Sequence, residues 1–108
     1  MALPSEVNHY LPLSESTCYV MLTLVEPSHG YAIMQKVEAM SEGGVKMGPG
    51  TLYGVLATLE KEDLIRKTKE EDRSKYYELT PKGKLVLKAQ IERLEIMARH
   101  GLAILKNL

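Results

Sequence analysis

Residues 48–77 read GPGTLYGVLATLEKEDLIRKTKEEDRSKYY, and this stretch decides the fold. Pro49 predicts a helix start, because the first position of a helix needs no backbone N–H. The charged part predicts two strands, 64–69 and 75–79, around a turn at 70–74. A helix that leads directly into a basic β-hairpin is typical of a winged helix-turn-helix. Apolar residues recur at helical spacing along the helix, and the predicted buried stripe is Leu52, Val55, Leu56 and Leu59.

Three more helices are predicted outside this stretch, and each has a start signal. Ser14 or Ser16 is the expected cap of the first and Ser28 of the second, because Ser accepts a hydrogen bond from the free N–H groups of a helix start. Thr80 followed by Pro81 gives the last helix the same kind of start. Their predicted bounds are 14–26, 28–40 and 81–106. Residues 1–12 contain two prolines and little periodicity, and we expect an extended arm there, with a short helix around residues 7–11 as the alternative.

Length and charge restrict the class of protein. A chain of 108 residues with 44% hydrophobic and 26% charged residues is typical of one small globular domain. Its net charge is zero, whereas nucleic-acid-binding proteins are usually basic. The charge is unevenly distributed, because residues 66–75 contain five Lys or Arg against three Asp or Glu. The basic segment therefore coincides with the predicted hairpin.

Several patterns bear on the compartment of the protein. Cys18 is the only cysteine, so an intrachain disulfide cannot form. Residues 1–6 lack the charged and apolar regions of a signal peptide. No apolar run approaches the roughly 18 residues of a membrane span. We therefore expect a cytoplasmic protein that does not enter a membrane.

These patterns predict a mainly α-helical fold with a small β-hairpin. A winged helix-turn-helix with its N-terminal arm is expected in residues 1–80, and a C-terminal dimerisation helix in residues 81–108, within one compact domain. Small residues at the start of the helix after Pro49 would let it approach base edges and phosphates of DNA. Basic hairpin residues would reach the groove or the backbone. The alternative is a capped core helix beside a solvated hairpin. The predicted DNA-binding residues are Tyr31, Lys36, Gly50, Thr51, Tyr53, Gly54, Arg73, Lys75 and Tyr76.

The last predicted helix is about 39 Å long at 1.5 Å per residue, which is too long for so small a domain to cover. Its apolar stripe indicates docking on the same helix of a second copy, in a two-fold dimer. Such a dimer places two recognition helices about 34 Å apart, one turn of DNA. The alternative is packing of the whole helix within one chain. The predicted interface residues are Leu87, Ile91, Leu94, Ala98, Ile104 and Leu105.

Other kinds of function have little support in the sequence. The chain contains no G-x-S-x-G nucleophile motif and no G-x-x-x-x-G-K phosphate loop. His9, His29 and His100 are widely separated and lack the spacing of metal ligands. We therefore expect no enzyme activity, no metal and no cofactor. A winged helix that binds proteins and not DNA is the competing hypothesis, and the zero net charge fits it.

A set of short motifs follows one specific order and spacing along residues 14–88. They are His29-Gly30-Tyr31-Ala32-Ile33, Gly50-Thr51-Leu52-Tyr53 with Leu56, Leu59 and Glu60, then Leu64-Ile65, Arg73, Lys75-Tyr76-Tyr77, Leu79-Thr80 and Gly83. In these motifs the chain resembles the PadR family of bacterial transcriptional regulators. The resemblance implies a winged-helix homodimer held by its C-terminal helix. It also implies repression through an inverted repeat in double-stranded DNA, with release by a small-molecule effector in some members. A single short last helix is similar to the compact subgroup, which includes regulators of multidrug efflux.

The chain departs from the family pattern in two respects. Asp63 stands where the family usually has Gly before the hairpin, and a left-handed helix end suits Gly better. We expect strain or a shifted turn there. The chain also contains no Trp, whereas drug-binding members stack flat ligands between a pair of Trp side chains. Sensing of aromatic drugs in that way is therefore not expected.

Overall fold

A computed structural model describes residues 5–108, so the first four residues of the expected N-terminal arm lie outside it. It confirms the mainly helical fold with a small β-sheet. The arm is not extended throughout, because Ser5–Asn8 form a short helix whose Val7 is buried. The recognition helix of the prediction is α4, and the last helix is α5. In chain order the elements are α1 (Ser5–Asn8), α2 (Glu15–Thr23), β1 (Ser28–His29), α3 (Gly30–Met40), α4 (Pro49–Lys61), β2 (Ile65–Glu71), β3 (Ser74–Leu79) and α5 (Pro81–Leu105).

The helix predicted over residues 28–40 is wrong in its first two residues. Ser28 and His29 form β1, which pairs antiparallel with Tyr77 and Tyr76 of β3. The sheet thus has three strands in the order β1-β3-β2. Pairing with β1 satisfies backbone groups that β3 would otherwise expose along its outer edge. Ser28 is therefore no helix cap, and its hydroxyl instead accepts a hydrogen bond from Lys36 Nζ at 3.3 Å.

The hairpin is longer and its turn tighter than predicted. Its strands extend to Glu71 and from Ser74, so only Asp72 and Arg73 form the turn. Both have positive φ angles, 49° and 68°. Two successive left-handed residues are typical of the two-residue turn that matches the twist of a β-hairpin. This turn places Arg73 at the tip.

The junction between α4, the hairpin and α5 is closely packed. Asp63 has a φ of 60°, so it takes the left-handed conformation for which a Gly was expected. Thr80 Oγ1 donates to the carbonyl oxygen of Asp63 at 2.6 Å and accepts from Gly83 N at 3.0 Å. Thr80 N donates to Leu64 O at 3.0 Å. Thr80 thus caps α5 as predicted and joins it to the end of α4.

Side chains from all five helices and from β2 and β3 make the core, with only the first half of α5 contributing. Leu87 belongs to it with 6% exposure, so the single chain already covers a residue that was predicted for the dimer interface. Val55 of the predicted α4 stripe is only half-buried, while its other three members are buried. The most deeply buried large side chains are Met21, Leu24, Ile33, Leu52, Leu56, Leu64 and Ile65.

Ser14 is the cap of α2, and this leads to a first prediction. Its Oγ accepts a hydrogen bond from Thr17 N at 3.1 Å. We expect Ser14→Ala to lower the free energy of unfolding by about 1 kcal/mol, because this N–H then has no side-chain acceptor. Ser16→Ala is the control, since Ser16 lies inside the helix, where Ala is at least as favourable as Ser. Urea denaturation checks both variants, and an equal loss in the two would contradict the assignment.

Candidate nucleic-acid interface

The first turns of α4 present a smooth, open surface. Gly50, Thr51 and Gly54 are exposed, while Leu52 and Leu56 fix the opposite face of the helix in the core. A Cβ atom added at Gly50 or Gly54 would meet nothing within 4 Å. The fold itself therefore does not require glycine there, and the absence of side chains leaves room for an approaching surface. Thr51 and Gly54 line a shallow depression with Thr17 and Thr58.

Tyr53 leaves α4 on a different side and reaches the start of α3. A Cβ atom at Gly30 would lie 2.6 Å from the hydroxyl oxygen of Tyr53, so glycine at this position makes the close approach possible. Tyr53 remains 54% exposed. Tyr31, in the first turn of α3, is also exposed, and its hydroxyl accepts a hydrogen bond from Gln35 Nε2 at 3.1 Å. The two Tyr side chains line the same cavity.

Tyr76 fastens the hairpin to the start of α3. Its ring meets the His29 ring edge-on, with centroids 5.1 Å apart. Lys69 Nζ lies 4.7 Å from the centre of the same ring, within the range of a cation–π contact. Tyr76 was predicted to contact DNA, and the structure places it half-buried between these two side chains. Its ring therefore holds His29 and the hairpin together.

One cavity of about 340 Å³ lies between α3, α4 and the hairpin, and we call it the wing cavity. It brings together four of the predicted DNA-binding residues, Tyr31, Tyr53, Arg73 and Lys75. The other five, Lys36, Gly50, Thr51, Gly54 and Tyr76, do not line it. The predicted DNA-binding set did not include the remaining lining residues, although three of them, His29, Gly30 and Tyr77, belong to the motifs in which the sequence resembles a known family. The remaining lining residues are His29, Gly30, Ser74 and Tyr77.

Two basic residues at the hairpin tip make no ion pair. In the strands, Arg66 binds Glu78 at 3.1 Å, and Lys69 binds Glu71 at 3.1 Å. Within residues 5–108, neither Arg73 nor Lys75 has a carboxylate within 4.0 Å. Acidic residues stand close by, because Asp72 precedes Arg73 in the turn and Glu70 lies opposite Lys75 across the strands. The tip thus presents two cations without ion-pair partners, with carboxylates as neighbours.

Tyr77 forms the buried floor of the wing cavity. Burial is the main cause that raises the pKa of its hydroxyl, and the nearby Glu60 and Tyr53 raise it further. The Tyr77 hydroxyl is therefore neutral and protonated at physiological pH. Within residues 5–108, no Asp or Glu side chain lines this cavity.

The second half of α5 has no cover in the single chain. Residues 91–108 are exposed except for Gly101, which is half-buried. Of the predicted interface, Leu87 is in the core, and the other five residues are exposed. The prediction did not include Met97 and Leu102, which are more exposed than Ile91 or Leu94. The uncovered apolar residues, which we call the α5 face, are Ile91, Leu94, Met97, Ala98, Leu102, Ile104 and Leu105.

An apolar cleft of about 250 Å³ lies between α2 and α5 and continues the α5 face. Cys18 lines it, and burial raises the pKa of its thiol, so the thiol is protonated and unreactive at neutral pH. The other cleft residues are Leu13, Glu15, Tyr19, Leu22, Gln90, Ile91 and Leu94.

In the part of the chain that the structure describes, no three His, Cys, Asp or Glu side chains form a possible metal site. None of the helices in that part combines the length and the apolar character that a membrane span needs.

Comparisons with known proteins agree with this geometry. A family model described as "Transcriptional regulator PadR-like family" matches residues 19–89. The chain is 44% identical over 64 residues to an uncharacterized 37.1 kDa protein in transposon TN4556 of Streptomyces fradiae. It is 31% identical over 72 residues to the transcriptional regulator YqjI of Escherichia coli strain K12. These matches cover 59% and 67% of this chain but only 18% and 35% of the two relatives.

Solved structures share the fold. The crystal structure of a PadR family transcriptional regulator from Eggerthella lenta superposes with a TM-score of 0.69. The match covers 86% of this chain and 83% of the other, at 23% sequence identity. At this identity the likeness establishes the fold alone. It confirms the winged-helix architecture with a C-terminal helix.

Proposed function

Because this chain belongs to the PadR-like family of transcriptional regulators, we propose that it is a homodimeric repressor that binds an inverted-repeat operator in double-stranded DNA. Family membership also bears out the prediction that it is not an enzyme. The chain spans only part of its curated relatives, so the repressor role belongs to the proposal. Action in the cytoplasm and release by a small-molecule effector are the further features that the family resemblance implies.

The observation that carries the proposal is the common surface of α4, α3 and the hairpin tip. The exposed start of α4 is free of large side chains at Gly50 and Gly54, as a helix in the major groove requires. Beside it, Arg73 and Lys75 present unpaired charges to the DNA backbone or the minor groove. Lys36 is a further exposed cation on α3, and its Nζ donates a hydrogen bond to Ser28 Oγ of β1 at 3.3 Å. We assign base contacts to α4 and backbone contacts to the hairpin.

The proposed dimer uses the α5 face. Burying large apolar side chains stabilises an interface by about 25 cal/mol per Å², and this face is uncovered in one chain. A second copy supplies an identical face, and a two-fold axis brings the two together. The apolar cleft between α2 and α5 lies next to the face and would be covered by the same partner. Two recognition helices related in this way suit an inverted repeat.

The double variant Arg73→Ala with Lys75→Ala tests the proposal. We expect binding to every duplex to weaken at least tenfold. We also expect the slope of log affinity against log salt to flatten by about 3 to 4 for a dimer, because each lost phosphate contact removes about 0.9. Fluorescence anisotropy with a duplex from upstream of the gene, and with a scrambled duplex, measures both quantities.

The matched control removes two charges elsewhere, with Lys88→Ala and Lys106→Ala. Both residues are exposed and lie in α5 or just after it. Their removal should leave affinity and salt slope close to those of the wild type. If the wild-type protein binds no duplex even at low salt, the DNA-binding proposal is wrong. The protein-interaction module then becomes the better hypothesis.

A further inference from the structure

The wing cavity has the composition of an anion site. Arg73 and Lys75 supply two positive charges, and Tyr31, Tyr53 and Ser74 supply hydroxyl donors. No carboxylate lines it within residues 5–108, and the nearest acidic residues in the hairpin, Glu70 and Asp72, are not among its lining residues. We infer that this cavity binds one backbone phosphate of the duplex, and that Tyr53 anchors this phosphate and does not read a base. The inference rests on the proposed DNA-binding function.

The position of Tyr53 on α4 separates it from the base-reading surface. At 3.6 residues per turn, Tyr53 lies about 60° from Gly50, about 100° from Gly54 and roughly 160° from Thr51, so it stands at one margin of that surface. Its hydroxyl is held against Gly30 at the start of α3. A side chain directed toward α3 lies beside the groove-facing surface of α4. The geometry therefore suits contact with the backbone at the edge of the groove.

The Tyr53 hydroxyl is free to donate. Within the described residues it makes no side-chain hydrogen bond, and half of the side chain is exposed. The close approach to Gly30 fixes where the hydroxyl lies before DNA arrives. The first turn of α3 lines the same cavity, and the side chain of His29 does not cap it. A phosphate in the cavity thus meets groups from three elements that are already in place.

Arg73 lies in the turn and Lys75 in β3, and both side chains line the wing cavity. Two cations and a preplaced hydroxyl around one position bind phosphate through charge-assisted hydrogen bonds, which are stronger than neutral ones. Because every nucleotide carries the same phosphate, such a contact fixes register but carries no sequence information. Loss of this phosphate contact should therefore lower the binding affinity for every duplex by the same factor.

Tyr53→Phe tests this inference by removing one hydroxyl. We expect affinity to fall about tenfold or more, since a hydrogen bond to a charged group is lost. The fall should be equal for the operator and for scrambled duplex, so that their affinity ratio is unchanged. Tyr10→Phe is the matched control, because Tyr10 bonds Glu62 far along the sequence and does not line the cavity. A loss by Tyr53→Phe that is confined to the operator would overturn the inference in favour of base reading.

A scan with neutral methylphosphonate linkages, placed one at a time in the duplex, locates the phosphate. For the wild type we expect a neutral linkage to lower the affinity at one position in each half-site. For Tyr53→Phe the same linkage should have no further effect on affinity. The same position should lose sensitivity in Lys75→Ala. If the linkage that no longer affects affinity differs between the two variants, or if no such linkage exists, the cavity does not hold one common phosphate.

Gly30→Ala gives an independent check on the cavity. The added Cβ would lie 2.6 Å from the Tyr53 hydroxyl and must displace it. We expect this variant to lose affinity as Tyr53→Phe does, and to lose little more when the two changes are combined. Circular dichroism confirms folding in each case. Absence of any wild-type binding to DNA would refute the proposed function, whereas wild-type binding with unaffected Tyr53 and Gly30 variants would refute only this inference.

Discussion

Leu94→Glu combined with Leu105→Glu is expected to yield a folded monomer whose operator affinity is at least 100-fold lower. Both residues belong to the α5 face and are exposed in the single chain. In the proposed dimer they are covered, and burying an unpaired carboxylate costs far more than the contact stabilises. A monomer binds half-sites separately and forfeits the gain of about 10²–10⁴ that linking two binding modules gives. Analytical ultracentrifugation and anisotropy measure the two effects.

Leu85→Glu with Ile96→Glu is the matched control. These residues are 55% and 51% exposed, and at 3.6 residues per turn they lie on the charged side of α5, opposite the α5 face. The same two substitutions there should leave a dimer with unchanged operator affinity. Thermal unfolding followed by circular dichroism establishes that both proteins are folded. A dimer that survives charges in the α5 face, or dissociates only in the control, would contradict the proposed interface.

Gly83→Ala should destabilise the protein by about 3 kcal/mol, at the upper end of the usual cost of overpacking. A Cβ atom there would lie 2.0 Å from the carbonyl oxygen of Leu64 and 3.0 Å from its carbonyl carbon. The obstacle is backbone, so no side-chain rotation relieves it. Either α5 or the end of α4 must move, which disturbs the hydrogen bonds of Thr80. The midpoint of urea denaturation should fall without a change in slope.

Gly54→Ala is the control for glycine replacement, and its expected effect on the free energy of unfolding is opposite in sign to that of Gly83→Ala. An added Cβ meets nothing within 4 Å, and Ala is favoured over Gly inside a helix by up to about 1 kcal/mol. Stability should therefore rise or stay equal. Destabilisation of the same size in both variants would show that close packing against Leu64 is not the cause.

Local signals predicted the helices best. Gly48-Pro49 and Thr80-Pro81 start α4 and α5 at the predicted residues, because capping depends on neighbouring residues only. β1 was missed, since two residues carry no periodic pattern and only pairing with Tyr76 and Tyr77 makes them a strand. The hairpin turn was placed too broadly for a similar reason. The left-handed pair Asp72 and Arg73 is fixed by the register of the strands on either side.

The candidate site was only partly predictable. The exposed start of α4 and the basic hairpin tip follow from residue types and their order. Tyr53 approaches Gly30, a residue about 20 positions earlier in the sequence, and no local pattern reveals this contact between α4 and the start of α3. The α5 stripe was recognised, but spacing alone does not show which part the chain covers itself. Leu87 therefore proved to be core, while the exposed Leu102 was not among the predicted interface residues.

The junction at Thr80 leaves no hinge between the hairpin and the long helix. Thr80 is the only residue between β3 and α5, and its hydrogen bonds and the Gly83 contact join the helix to the end of α4. Helix α5, about 37 Å long at 1.5 Å per residue, is thus a rigid rod that is fixed at this junction. A tilt of about 5° at one end moves the other end by roughly 3 Å, the full length of a hydrogen bond. When the far end of α5 shifts and the helix tilts, the hairpin should therefore rotate through the same angle.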